Sequence, residues 1–259
     1  MHPVLFNFGD TFTIYSYGFF IVIGAIAAIG YVTWQTKKHF NLTFDQVNSL
    51  FLLLLIAAIV GGKAFLFFEK PTYYAANPGS LLTGRGFVFY GSLLFCIPAM
   101  LWYFKRYKLP TMPMLDIMAV TTCIVHFFGR IGCFMAGCCH GIEWHGPLAV
   151  MFTDPACLAP LNTALHPTQL YSAGMILFIL ITLLVIKQFQ KFHGQLFLLY
   201  LMLYAMGRSV IEEFRGDISR GFVLNGLLSH SQLISLAIII VALYFYIKSA
   251  NNSKLQISG

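Results

Sequence analysis

Seven apolar runs are the feature of this sequence that most restricts what it can fold into. Each is about 17 to 25 residues long, enough for an α-helix to cross roughly 30 Å of hydrocarbon. Since backbone polar groups must be satisfied inside a bilayer, each run predicts a transmembrane helix. The seven lie at about positions 14–34, 47–68, 88–104, 114–134, 170–186, 195–214 and 232–247. The predicted fold class is therefore an all-α, polytopic membrane protein.

The composition supports a membrane protein and argues against two other classes. Of the 259 residues, 58% are hydrophobic and 10% are charged, which is too few charges to cover a soluble domain. The formal net charge of +7 could indicate nucleic-acid binding, but the longest basic run covers only positions 105–108, and it has no interleaved aromatic stripe. We therefore expect no nucleic-acid partner. We expect one transmembrane domain at 1–250 and a cytoplasmic tail at 251–259.

The basic residues between the runs predict the orientation in the membrane. One set of alternate loops carries eight lysines and one arginine: Lys37, Lys38, Lys105, Arg106, Lys108, Lys187, Lys191, Lys248 and Lys254. This side is expected to be cytoplasmic, which puts the N-terminus outside and the C-terminus inside. The outer side carries five arginines and two lysines: Lys63, Lys70, Arg85, Arg130, Arg208, Arg215 and Arg220. Because arginine holds phosphate or carboxylate by two parallel hydrogen bonds, we interpret the outer arginines as ligand-binding, with ion pairing to Glu212, Glu213 or Asp217 as the alternative.

A polar group of side chains closes the fourth run, in the stretch VHFFGRIGCFMAGCCHG at positions 125–141. An arginine in hydrocarbon costs roughly 2.5 to 3.5 kcal/mol on insertion scales, so Arg130 should face a protein interior or a wet cavity. That cavity is the candidate active site.

The thiols of this stretch allow three interpretations. Cys133, Cys138, Cys139 and His140 have a CxxxxCCH spacing that could suggest metal, but they lack the paired CxxC blocks typical of zinc sites. A disulfide to Cys157 is a second possibility on an oxidising face. Inert packing by small side chains is the third.

Two further motifs lie near the outer face. The long loop at about 136–167 contains four prolines and several apolar side chains, and we expect it to form a small ordered lid. It leads into HPTQLY at 166–171, where His166 could carry protons and the helix start offers polar groups such as Gln169. An ordinary helix start with an interfacial aromatic is the alternative.

The sixth run ends in GRSVIEEFRGD at 207–217, where helical spacing puts Arg208, Glu212 and Arg215 on one face. Two arginines and one carboxylate would form either an anion clamp or a closed ion-pair network. Tyr17 and Tyr90 each precede a glycine at the outer end of a run, where interfacial aromatics are common.

The order and spacing of these motifs resemble the prolipoprotein diacylglyceryl transferase family of bacterial inner membranes. The resemblance covers nearly the whole chain and rests on SYG at 16–18, GGK at 61–63, GRIGCFMAGCCHG at 129–141, HPTQLY, RSVIEEFR at 208–215 and LLSHSQ at 227–232. It implies a seven-helix enzyme that transfers the diacylglyceryl group of phosphatidylglycerol to the lipobox cysteine of a prolipoprotein. A thioether and glycerol phosphate would be the products.

The resemblance assigns the essential arginine of the family's GRxGN signature to Arg130, the sixth-span arginine to Arg208 and the first-span tyrosine to Tyr17. The chain departs from the family pattern at three places. Cys133 stands where the family usually has Asn, Cys138 where it usually has Glu, and Tyr90 where a histidine proposed as the base occurs.

The leading hypothesis is this transferase, embedded in the bacterial inner membrane, with phosphatidylglycerol and prolipoprotein signal peptides as partners and with no metal or other cofactor. The expected catalytic residues are Arg130, Arg208, Tyr90, Tyr17 and His166. The expected substrate-binding residues are Arg130, Arg208, Gly141, Gln169, Glu212 and Arg215. The alternatives are a membrane thiol-redox or metal-binding protein that has lost transferase chemistry, and a non-catalytic lipid-binding or transporter-like protein.

Overall fold

The computed structural model describes residues 1–7, 13–77, 79–80, 86–216, 222–223 and 228–257. Within these ranges the chain is mostly helical. The helices are α1 Ser16–His39, α2 Phe44–Glu69, α3 Pro71–Ala76, α4 Phe89–Arg106, α5 Thr111–Ala136, α6 Thr168–Lys187, α7 Gln195–Glu212 and α8 His230–Ile257. Short strands pair as three antiparallel hairpins: β1 Val4–Asn7 with β2 Thr13–Tyr15, β3 Val150–Met151 with β4 Ala164–Leu165, and β5 Phe222–Val223 with β6 Leu228–Ser229.

A helix is present at each of the seven predicted runs. Five of them, α1, α2, α5, α6 and the part of α8 at His230–Ser253, are long and apolar enough to cross a membrane. The other two, α4 and α7, are 18 residues long, and charged side chains lower their mean hydropathy: Lys105 and Arg106 end α4, and Arg208 and Glu212 lie in the last turns of α7. The multi-pass helical class is confirmed for five helices, and the count of seven spans stays a prediction.

The chain divides into two compact units, Met1–Gly30 with Leu115–Gly259, and Tyr31–Met114. In the second unit, α2 packs closely on α4 through glycines. A Cβ added to Gly61 would lie 2.4 Å from the Gly91 carbonyl oxygen, so only glycine allows the two backbones to approach this far. Polar side chains reinforce the contact, because the Ser92 hydroxyl donates to the Ala58 carbonyl (2.8 Å) and the Tyr103 hydroxyl donates to the Gln46 carbonyl (2.5 Å).

In the first unit, the N-terminal half of α1 lies against the C-terminal end of α5. A Cβ on Gly132 would be 3.2 Å from the Tyr17 backbone, and one on Gly24 would be 3.0 Å from Phe128. Small residues therefore let the two helices approach closely, as is common between membrane helices. The contact brings Tyr17 beside the polar end of α5.

A buried carboxylate joins the other end of α5 to the start of α7. Asp116 is 5% exposed, and it accepts hydrogen bonds from the backbone N–H groups of Gly194 (2.6 Å) and Phe197 (3.0 Å) and from the Gln190 side chain (2.6 Å). These N–H groups have no partner within their own helix, and the helix dipole favours an anion at that end. Asp116 therefore fixes α7 and its arginine relative to α5.

The loop predicted at 136–167 is ordered around a small core of its own. The β3–β4 hairpin and a bridge between Phe152 and Leu161 enclose the fully buried Phe152 ring, which packs with Ala159 and Leu165. The apolar side chains that suggested order in this loop therefore form its core. Its action as a lid stays a prediction.

Candidate active site

Arg130 lies two turns before the end of α5, and its guanidinium is held by a histidine on the same helix. Its Nε donates to Nε2 of His126 at 3.2 Å. A guanidinium has no acceptor, so His126 must accept with a neutral ring that carries its proton on Nδ1. The His126 ring also lies 5.5 Å from the Tyr204 ring on α7, which closes the site on that side. Among the described residues, the terminal nitrogens of Arg130 form no hydrogen bond.

Arg208 approaches the same histidine from α7. It forms an ion pair with Glu212 one turn later, in which the arginine side chain is 20% exposed and the glutamate side chain 6% exposed. Both Arg130 and Arg208 lie close enough to His126 for their charges to act on it. In the part of the chain that the structure describes, Arg130 has no carboxylate within ion-pair distance. Together, the side chains of His126, Arg130, Arg208 and Glu212 therefore carry a net charge of +1.

Three thiols converge next to Arg130. The sulfur atoms of Cys133, Cys138 and Cys139 all lie within 4.8 Å of one another, and each side chain is half-buried. The Tyr17 hydroxyl lies close enough to all three thiols and to Arg130 to interact electrostatically with them. All six cysteines, including Cys157, are free in the structure, so the disulfide to Cys157 that the sequence left possible is not formed.

The turn that brings the thiols together is built from two left-handed residues. Gly137 has a φ of 75° and Cys139 a φ of 59°. For Cys139 this conformation costs of order 1 kcal/mol or more, and it persists because the surroundings hold it. The first residues of α6 provide that hold, since the Thr168 hydroxyl donates to the Cys139 carbonyl (2.7 Å) and the Gln169 amide donates to the Cys138 carbonyl (2.8 Å).

The two thiols beyond the helix end differ in acidity. The thiols of Cys133 and Cys138 hydrogen-bond to Cys139 and lower its pKa, burial opposes this effect, and the charges of Arg130 and Arg215 lower the pKa further. The pKa of Cys138 is raised, because its hydrogen bonds with Cys133 and Cys139 and its burial favour the protonated form. These neighbours therefore favour the thiolate form at Cys139 and the protonated form at Cys138.

His166 lies in an aromatic box. Its ring stacks on Trp144 at 4.2 Å, packs against Phe214 at 5.2 Å, and its Nδ1 lies 3.1 Å from the Tyr171 hydroxyl. The residue is 8% exposed, and burial lowers its pKa. His166 is therefore neutral at pH 7, and its imidazole ring is surrounded by these three aromatic side chains.

Gly141 and Arg215 join the chain after α5 to the chain after α7 through backbone contacts. The N–H of Gly141 donates to the His166 carbonyl (2.9 Å), and an added Cβ would lie 2.4 Å from the Phe214 carbonyl oxygen, so Gly141 is a point of close approach and offers no donor to a lipid. Arg215 pairs with Gly141 in a β-bridge. The prediction that Arg208, Glu212 and Arg215 share one helical face is wrong for Arg215, because α7 ends at Glu212 and the chain then turns to reach Gly141.

The remaining predicted positions have more varied placements. Gln169 is fully buried, and its Oε1 has no hydrogen-bond partner among the described residues. Tyr90 belongs to the second unit and is 58% exposed. Arg85 and Arg220 lie outside the described residues. The structure thus gathers Arg130, Arg208 and Tyr17 of the predicted catalytic group in one unit, with His166 in a neighbouring box.

Sequence reasoning missed His126. The signal was present in the spacing, because His126 precedes Arg130 by four residues and therefore lies on the same helical face.

An open cleft of about 430 Å³ lies between the 136–167 loop and the start of α6. Its lining is mostly apolar and consists of Pro147, Leu148, Ala149, Val150, Pro167, Leu170 and Tyr171. Such a lining would accept hydrocarbon.

Comparison with known proteins gives one consistent family. A family model described as prolipoprotein diacylglyceryl transferase matches residues 3–248. The phosphatidylglycerol–prolipoprotein diacylglyceryl transferase of Clostridium tetani (strain Massachusetts / E88) is 36% identical over 248 residues, which cover 95% of this chain and 97% of the relative. The protein of the same name from Dehalococcoides mccartyi (strain ATCC BAA-2266 / KCTC 15142 / 195) is 29% identical over 253 residues, with 97% and 95% covered. The phosphatidylglycerol–prolipoprotein diacylglyceryl transferase 2 of Clostridium perfringens (strain 13 / Type A) is 31% identical over 236 residues, with 90% of each chain covered. These names give no support to a thiol-redox or metal-binding protein without transferase chemistry.

Proposed function

Because the chain belongs to the prolipoprotein diacylglyceryl transferase family, we propose that it transfers the diacylglyceryl group of phosphatidylglycerol to the lipobox cysteine in the signal peptide of a prolipoprotein. The observation that carries the proposal is a match along 95% of this chain to a relative named for these two substrates. The products are a thioether and glycerol phosphate.

The reaction sets two physical requirements. The acceptor sulfur must attack the glyceryl carbon as a thiolate, and the phosphate oxygen that leaves with the electron pair of the broken C–O bond must have its charge neutralised. A thiol has a pKa of about 8.5, so a modest stabilisation of the thiolate is enough at pH 7.

Arg130 is the proposed ligand of the lipid phosphate. With Nε held by His126, its terminal nitrogens can approach a phosphate as a pair and donate two hydrogen bonds. Arg208 is the proposed second ligand, with its charge partly offset by Glu212. The net charge of +1 in this group matches the single negative charge of a phosphodiester, which supports binding of phosphatidylglycerol here.

Tyr17 and His166 are the proposed proton-handling residues. The Tyr17 hydroxyl interacts with the thiols and with Arg130, so it can donate a hydrogen bond to an acceptor thiolate that reaches them. His166 is neutral at pH 7 because of its burial, so it can accept a proton. A role for Tyr90 stays a prediction from the sequence.

The proposed setting is a bacterial inner membrane crossed seven times, with the N-terminus outside. In this arrangement α4 and α7 also span, and the 136–167 loop lies on the outer face as a lid. The apolar cleft beside that loop would take hydrocarbon from one of the substrates.

The test is an assay of the purified full-length chain in detergent with phosphatidylglycerol and a lipobox peptide. We expect the mass of one diacylglyceryl group on the cysteine peptide and none on its serine analogue. A stable, folded protein that binds both substrates and forms no thioether would refute the proposed activity.

A further inference from the structure

The transferase reaction described so far gives no role to the three converging thiols. By the family resemblance, Cys133 and Cys138 stand at positions where Asn and Glu are expected, and Cys139 is adjacent. Small packing residues need not meet, yet all three sulfur atoms lie within 4.8 Å of one another. The chain adopts a left-handed conformation at Cys139 to achieve this.

The arrangement has the dimensions of a metal site with one open position. Zinc binds thiolate at about 2.3 Å, which in a tetrahedron separates neighbouring sulfur atoms by about 3.8 Å. The three sulfur atoms, all within 4.8 Å of one another, lie near that spacing. The cluster has three members among the described residues, and Nδ1 of the neighbouring His140 lies 3.0 Å from the Gly141 carbonyl oxygen. Three protein ligands with a fourth position open are the pattern of a catalytic zinc site.

We propose that Cys133, Cys138 and Cys139 bind one zinc ion, and that its fourth coordination position takes the thiol of the acceptor cysteine. The inference rests on the proposed function and identifies zinc as the group that activates the acceptor cysteine. The site serves a transferase and is therefore distinct from a metal protein that has lost this chemistry.

The step balances without an external oxidant or reductant. The acceptor thiol releases its proton to solvent as it binds zinc, because a coordinating thiol is deprotonated outright. The sulfur lone pair then forms the C–S bond to the glyceryl carbon, the C–O bond breaks, and its electron pair leaves on the phosphate oxygen of glycerol phosphate. The product thioether is neutral and a weaker zinc ligand than thiolate, so it departs and the zinc charge is unchanged.

The surrounding charges suit this occupant. Three thiolates and Zn²⁺ carry a net charge of −1, which becomes −2 when the acceptor thiolate binds. Arg130 and Arg215 both act electrostatically on Cys139 and offset this charge. Arg130, the proposed phosphate ligand, also acts on Cys133. The same arginine therefore neighbours both proposed substrate positions.

The first experiment measures metal in the full-length chain purified in detergent, loaded with Zn²⁺ and dialysed. Elemental analysis should find about one zinc per chain, as expected for one site with three thiolate ligands. Cys139→Ser should lose the zinc, and Cys157→Ser, a half-buried thiol outside the cluster, should keep it. The double variant Cys133→Asn with Cys138→Glu restores the residues usual in the family, so it should fold and still lose the zinc.

The second experiment follows the open position directly. Co²⁺ replaces zinc, and its visible ligand-field spectrum should change when a lipobox cysteine peptide is added and stay constant with the serine peptide. A cobalt spectrum that does not change when the cysteine peptide is added would overturn the inference. Wild-type protein that contains copper or iron in place of zinc would also overturn it.

The thioether assay separates this inference from the proposed function. Metal-free wild type that retains full activity overturns the zinc site and leaves the transferase function standing. Zinc and the cobalt response without thioether formation support the site and refute the transferase.

Discussion

Replacing Arg130 by Lys tests the proposed phosphate contact, because it keeps the charge and removes the planar fork. The guanidinium donates to His126 through Nε, and its terminal nitrogens are the proposed donors of two hydrogen bonds to phosphate. An ammonium group is a point donor and cannot reproduce that pair. One lost charge-assisted hydrogen bond costs about 1.5 to 3 kcal/mol, which corresponds to a roughly 10- to 150-fold lower kcat/KM.

The assay is the initial rate of thioether formation over a range of phosphatidylglycerol concentrations. Arg106→Lys is the matched control, because Arg106 is an exposed arginine in the last turn of α4, and its rate should stay within about twofold of wild type. A second variant, His126→Leu, removes the hydrogen bond that orients Arg130 but leaves the charge and the terminal nitrogens of that arginine in place, so it should lose less than Arg130→Lys.

Two results would refute this reasoning. A kcat/KM of Arg130→Lys within about threefold of wild type would mean that no paired phosphate contact exists, since threefold is only about 0.65 kcal/mol. Equal losses in Arg130→Lys and His126→Leu would mean that Arg130 acts by holding His126 in place.

Three further predictions concern stability and topology. Burial lowers the folded-state pKa of His166, so the unfolded state takes up the proton first: stability should fall as pH drops below about 6.5, and His166→Gln should flatten that slope in thermal unfolding. Gly61→Ala should destabilise the detergent-solubilised protein by about 1 to 3 kcal/mol, since its Cβ would meet the Gly91 carbonyl oxygen at 2.4 Å, whereas Gly30→Ala, with open space around it, should unfold at or above the wild-type temperature. A reporter fused after Lys254 should behave as cytoplasmic, and periplasmic activity there would contradict the predicted orientation.

The helices could be predicted because their cause is local. An apolar run must form its hydrogen bonds within itself, and the seven predicted segments each coincide with a helix to within a few residues, apart from a longer α8. At Arg215 this local reasoning fails. Helical spacing continued the face of Arg208 to Arg215, but the chain leaves the helix after Glu212 to pair with Gly141, more than seventy residues earlier in the sequence. No local pattern contains that bridge.

The arginines of the site could also be found from the sequence, because a charge in an apolar run requires an explanation. His126 did not stand out in the same way. A neutral histidine in an apolar helix is compatible with simple packing, and its function emerges only when Nε2 is seen to accept from Arg130 while its ring faces Tyr204.

The convergence of the three cysteines depends on the path of the chain, so it could not be predicted from their spacing. A CxxxxCCH spacing lacks the CxxC pairs of common zinc sites, and only the left-handed turn at Gly137 and Cys139 carries the vicinal thiols back to Cys133. The proposed site then connects two departures from the family pattern. Tyr90 stands where the family has a histidine proposed as the base, and thiols stand where it has Asn and Glu. A metal that deprotonates the acceptor thiol on binding would remove the need for that base, so the proposed site accounts for both departures by one mechanism.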